Sequence, residues 1–152
     1  MRLEMEVEQE YRSQMLAALE QKVNEALERF QVTAPTCRRC GRLMGYHDTR
    51  RVSWLARVGR VVVTVPRYRC VRCKYNCRPV LGQLGVEPGR ISGSLARLLA
   101  LLAVVAPYPL ASQLAWLLLG VKISPMGVWR VAQRMGEAAT RYEEELSGVS
   151  RR

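Results

Sequence analysis

The chain has 152 residues, 49% of them apolar, and a formal net charge of +11. That length suits one domain or two small modules. The chain has one aspartate and one histidine, and its Glu143, Glu144 and Glu145 are adjacent on an expected helix and cannot converge on a metal pair, so neither two-metal nuclease chemistry nor a histidine-centred acid–base constellation is expected.

The charge is unevenly placed. Residues 1–34 hold 4 Lys/Arg against 7 Glu, residues 35–90 hold 13 Lys/Arg against 2 acids, and residues 91–152 hold 7 against 4. Eleven of the basic residues fall between Arg38 and Lys74, most of them arginine. Arginine forks onto phosphate oxygens and base edges, so a polyanion, and DNA in particular, is the expected partner.

Taken in chain order, residues 5–31 read as an amphipathic helix. Leu16, Leu19, Val23, Ala26 and Phe30 recur at steps of three and four. Such a stripe serves either as a short coiled-coil seam in a homodimer or as the face that packs on the helix's own domain. "TAPT" then breaks the pattern.

Residues 37–78 read as short strands and turns. Two β-rich runs flank Gly59, the second from Val61 to Val65, and predict a hairpin with Gly59 in its turn. The hairpin joins two cysteine pairs, Cys37/Cys40 and Cys70/Cys73, with 29 residues between them. Two C-x-x-C pairs at this spacing suit a tetrahedral, four-thiolate structural zinc site, with each pair forming a knuckle. Gly41 stands where a knuckle often needs a positive φ. A closed site of this kind supports folding and leaves no position for substrate water. The fifth cysteine, Cys77, is expected as a buried, inert thiol, and His47 as an exposed side chain.

"LGQLGVEPGRISGS" reads as a linker, and helices follow at about 94–105, 109–119 and 125–146. The apolar stretch from Leu95 to Val121 is split by Pro107 and Pro109. Each piece is shorter than the ~20 residues a membrane-spanning helix needs, so two core helices are expected and no membrane partner. Gly120 marks a helix end, while Ser124 and Pro125 mark the next start. Val128, Val131, Ala132, Met135 and Ala139 then share one face, and Arg130, Gln133, Arg134 and Glu137 another. The layout predicts a helix-turn-helix whose second helix shows Arg and Gln outward; Trp129 fits either the edge of the core or a groove contact.

"CRRCGRLM", "RVVVTVPRYRCVRC" and "ISGSLARLLALLAVVAPYPLASQLAWLLLGVKISPMGVWRVAQRMGE" together resemble the N-terminal region of ISKra-type insertion-sequence transposases and their ISL-type relatives. The likeness covers residues 37–140. It implies binding to the DNA ends of the element, with Cys37, Cys40, Cys70 and Cys73 as zinc ligands and Ser124 to Arg134 as the recognition helix. Arg38 departs from the proline usual there, Cys77 has no counterpart among the ligands, and with Asp48 its one aspartate the 152-residue chain is not expected to form the family's catalytic DDE site.

The resulting expectation is an α+β chain: an N-terminal helix (1–34), a zinc-ribbon β-hairpin module (35–80), a linker (81–93) and a helical helix-turn-helix module (94–152). It would be a cytoplasmic, nucleoid-associated, non-catalytic DNA binder. Arg38, Arg39, Arg67, Arg69, Arg72 and Lys74 would hold phosphates, and Arg130, Gln133, Arg134 and Trp129 would face the groove. The competing expectation is a scaffold that assembles with a transposase or another nucleoprotein partner.

Overall fold

The computed structural model describes residues 2–29, 34–87 and 90–149. The chain is α+β, with a small mixed sheet and several helices. It divides into two compact units, Met1–Ser92 and Gly93–Arg152.

The first unit is built on a long hairpin, β1 (Gly45–Ala56) and β2 (Gly59–Arg69). Side chains alternate across it as strand geometry requires. Val52, Trp54 and Ala56 on β1 and Val61, Val63 and Val65 on β2 are buried, and their neighbours are not. Gly59 is the first residue of β2, and the reversal itself falls on Arg57 and Val58. The φ of +138° at Gly59 is open to glycine and strained for any other residue.

Helix α1 (Arg2–Arg29) covers this sheet. Leu16, Leu19, Val23 and Leu27 pack onto the valine face. Leu16, Leu19 and Val23 of the stripe are therefore used on the chain's own sheet. The same spacing fits a sheet-packing face and a coiled-coil seam alike. Phe30 lies outside the described residues. Glu20 of α1 adds a polar contact, its carboxylate accepting the Val62 backbone N–H at 2.9 Å. That N–H points away from β1, on the side where β2 has no strand partner along this stretch among the described residues.

The stretch expected to be a linker carries structure instead. The end of α2 (Pro79–Gln83), then β4 (Val86–Glu87) and β5 (Ile91–Ser92) lie in it, after β3 (Asn76–Cys77). β5 pairs parallel to β1 at Leu55 and Ile91, and the sheet order is β3-β2-β1-β5-β4. Leu81, Leu84 and Val86 pack onto the core of the first unit. Their burial outweighs the local preference of a Gly/Pro-rich segment for open loop. The division between units falls at the end of this stretch.

The second unit holds α3 (Gly93–Val105), α4 (Tyr108–Leu119) and α5 (Pro125–Val149). Pro107 separates α3 from α4 as the N-cap of α4, and Pro109 sits in the first turn of α4, where its missing donor costs nothing. No helix among the described residues is long and apolar enough to cross a membrane. Leu95, Leu99, Ala111, Ala115, Val128 and Val131 are buried. Gly120 ends α4 in the left-handed region, φ 63°, with its N–H on the Trp116 carbonyl at 2.9 Å. Ser124 opens α5, its Oγ accepting the Gly127 N–H at 3.1 Å. Between them, the Ser112 hydroxyl donates to the Ile123 carbonyl at 2.6 Å and so fixes the turn.

Candidate metal centre

The four cysteines of the two pairs converge. Their sulfurs all lie within 4.8 Å of one another, with Cys37 to Cys73 and Cys40 to Cys70 at 3.4 Å each. All are free thiols. A tetrahedral metal with bonds of about 2.3 Å spaces its sulfurs at about 3.8 Å, so these four are positioned to hold a metal ion.

Two similar loops set this geometry. In the first, the Gly41 N–H returns to the Cys37 carbonyl at 2.9 Å and the Cys37 N–H reaches Arg42 at 2.8 Å. In the second, the Lys74 N–H returns to Cys70 at 3.0 Å and the Cys70 N–H reaches Tyr75 at 2.9 Å. Cys37 and Cys70 are buried, and Cys40 and Cys73 are half-buried beside them. Met44 and Tyr68 complete the small core beneath the cluster.

Charge in the cluster is unevenly held. The Cys70 thiol is lowered to about 6, chiefly by the Cys73 N–H, with burial opposing and the Cys40 thiol and the Arg72 N–H assisting. Cys37 is also lowered: burial pushes it up, but the N–H groups of Arg39 and Cys40 and the Cys73 thiol outweigh that. Cys73 rises to about 11, because burial and the neighbouring sulfurs outweigh the Tyr75 N–H. Negative charge collects on part of the cluster and raises the cost of ionising the rest. A bound cation would relieve that repulsion.

Around the cluster the surface is basic. Arg38, Arg39, Arg69, Arg72 and Lys74 are exposed, and the Arg39 guanidinium lies 5.3 Å from the centre of the Tyr75 ring. Arg38 and Arg78 line one cavity of about 510 Å³ whose walls include no carboxylate. Arg67 differs from its expected place. It donates two hydrogen bonds of 2.7 Å to Asp48, so its fork is committed inside the module.

No family model, curated protein or solved structure matches this chain.

His47 is exposed in β1, skipped by the pairing register between Tyr46 and Asp48, and is not in the sulfur cluster. Cys77 sits opposite Tyr68 on β3, half-buried, with its Sγ 3.5 Å from Met44 Sδ. Burial and the nearby Cys37 push its pKa up, against a smaller opposing effect of Arg38. In the second unit, Trp129, Arg130 and Gln133 are exposed on α5 and Arg134 is half-buried. Sequence reasoning missed the Tyr75–Arg39 contact, the Asp48–Arg67 pair and the left-handed φ of Lys74. Only the first had a visible signal, an aromatic two residues beyond the second pair.

Proposed function

We propose that the chain is a zinc-stabilised, non-catalytic DNA-binding protein similar in organisation to the end-recognition region of insertion-sequence transposases. One observation carries this reading: the cysteine loops turn Arg38, Arg39, Arg72 and Lys74 outward, and the adjoining cavity adds Arg78 without a carboxylate to neutralise it. Four thiolates and no histidine favour zinc over metals that prefer oxygen ligands. The site is closed, so the metal's contribution is to hold the two loops together and no reaction step passes through it.

On this reading β1, β2 and the loops form a zinc ribbon, and α4, the turn 120–124 and α5 form a helix-turn-helix. The loop cations hold phosphates, while Arg130 and Gln133, with Trp129 beside them, face base edges from the first turns of α5. Arg134 is set back, and Arg67 is left out because Asp48 holds it.

The test is duplex DNA binding across a salt series. Even five phosphate contacts give a log–log slope of about −4.5, and an affinity that hardly responds to salt defeats the proposal. The scaffold reading draws on the exposed Leu101, Val104, Leu117 and Leu118 of the second unit. Tight protein assembly with indifference to DNA would select it.

A further inference from the structure

Helix α5 has 25 residues, against 13 in α3 and 12 in α4. At about 1.5 Å per residue it runs roughly 37 Å, about twice the length of either neighbour. Its first half is covered: Val128 and Val131 are buried, and Ala132, Arg134 and Met135 half-buried. Every residue from Gly136 to Leu146 is exposed.

The apolar stripe does not stop where the cover stops. Val128, Val131, Met135, Ala139, Tyr142 and Leu146 follow one another at steps of three and four, which makes one continuous seam. Tyr142 is 63% and Leu146 53% exposed. Beside the seam, α3 and α5 leave an open groove of about 1180 Å³, lined by the small residues Ala100, Ala103, Gly136 and Ala139 and edged by Leu101 and Val104. A projecting helical segment of about a dozen residues is marginal in water unless its apolar face is packed.

Charge identifies the occupant. We infer that the seam is covered by the same segment of a second copy of this chain, packed antiparallel about a two-fold axis near Ala139. In such a contact residue i meets residue j and j meets i. An axis there sets Arg134 opposite the partner's Glu145, and the reciprocal pair follows by symmetry. Both residues immediately precede a seam position, Met135 and Leu146, so they lie on the same flank, where antiparallel helices meet. Tyr142 and Leu146 come down beside the small side of the groove, near Gly136. The opposite orientation would stack Glu143, Glu144 and Glu145 of the two copies on one another, and like charges at that spacing repel.

Sedimentation equilibrium of the full chain without DNA tests this. The wild-type chain is expected to be a dimer. Tyr142→Lys disperses it. Arg134→Glu and Glu145→Arg each weaken it about tenfold, since one reversal acts twice across the symmetric contact. The double reversal restores the wild-type constant, a recovery that misfolded chains would not give. A monomeric wild-type chain overturns the inference, as does a dimer indifferent to all four variants or a double variant no tighter than the singles. The readout contains no nucleic acid, so failure here leaves the DNA proposal standing, and the converse holds.

Discussion

Gly41 and Lys74 occupy the same position in two copies of one loop. Each follows the second cysteine of its pair, each has a left-handed φ (70° and 59°), and each returns its N–H to the carbonyl of the first cysteine. Glycine adopts that conformation freely, whereas a residue with a Cβ is strained by roughly 1–2 kcal/mol. Lys74→Gly is therefore expected to keep the metal and to hold or raise stability by up to about 1 kcal/mol. Gly41→Val is expected to cost about 1–2 kcal/mol. Denaturant titration of the metal-loaded protein measures both.

The ligand set divides the cysteines four to one. Serine at Cys37, Cys40, Cys70 or Cys73 removes a thiolate from a site whose sulfurs lie within 4.8 Å, and metal is lost. Cys77→Ser keeps it, because Cys77 contacts Met44 and stands outside the cluster. Metal analysis is expected to give one zinc per chain. Chelation is expected to abolish the near-ultraviolet signature of the first unit, since metal binding and folding are linked. A Cys77→Ser protein without metal, beside a metal-bound Cys73→Ser protein, would move the ligand set along the chain.

Gly127 lies in the first turn of α5, in the second unit. A Cβ there would stand 2.7 Å from Ile123 Cγ1 and 3.3 Å from the Ser124 hydroxyl that caps α5. Ile123 is held by the Ser112 hydrogen bond to its carbonyl, so the turn has little room to yield. Gly127→Ala is expected to destabilise this unit by about 1–3 kcal/mol despite the better helix propensity of alanine. Thermal unfolding checks this. A rise in stability would mean that the turn opens without cost.

Asp48 gives a pH dependence of known sign. Its carboxyl lies below the ordinary carboxylate range, chiefly through the hydrogen bonds from Arg67, with burial opposing and the charges of Arg50 and Arg67 assisting. A carboxylate lowered in the folded state contributes stability above its unfolded pKa and loses it as pH falls through the folded value. Asp48→Asn should flatten the acid limb of the stability profile while leaving the neutral plateau lower. Urea midpoints across acidic pH, compared with wild type, measure the difference.

The sequence made much of this legible. The helices of the second unit lie close to their expected bounds because Pro107, Pro109, Gly120 and Ser124 punctuate strong apolar periodicity. The cysteine cluster followed from spacing alone. What was hidden is non-local. The pairing of β5 with β1 involves a two-residue strand, β5, too short to show a period. The Asp48–Arg67 pair lies far from the turn, where the hairpin register that starts at Ala56 and Gly59 sets the two residues opposite each other. Nothing in the lysine side chain announces the φ of Lys74; the loop's hydrogen bonds impose it. The stripe on α1 was visible, but what it packs against was not, since a sheet and a second helix ask for the same spacing.

The contact between Glu20 and Val62 reaches beyond the folded monomer. An unpaired strand margin is a template onto which another chain can add, and a carboxylate laid along it both occupies a donor and repels incoming acidic or carbonyl groups. A chain lacking α1 would therefore lose more than the cover over Val61, Val63 and Val65. It would display a bare β margin beside a row of valines, the combination from which fibrils and insoluble deposits grow.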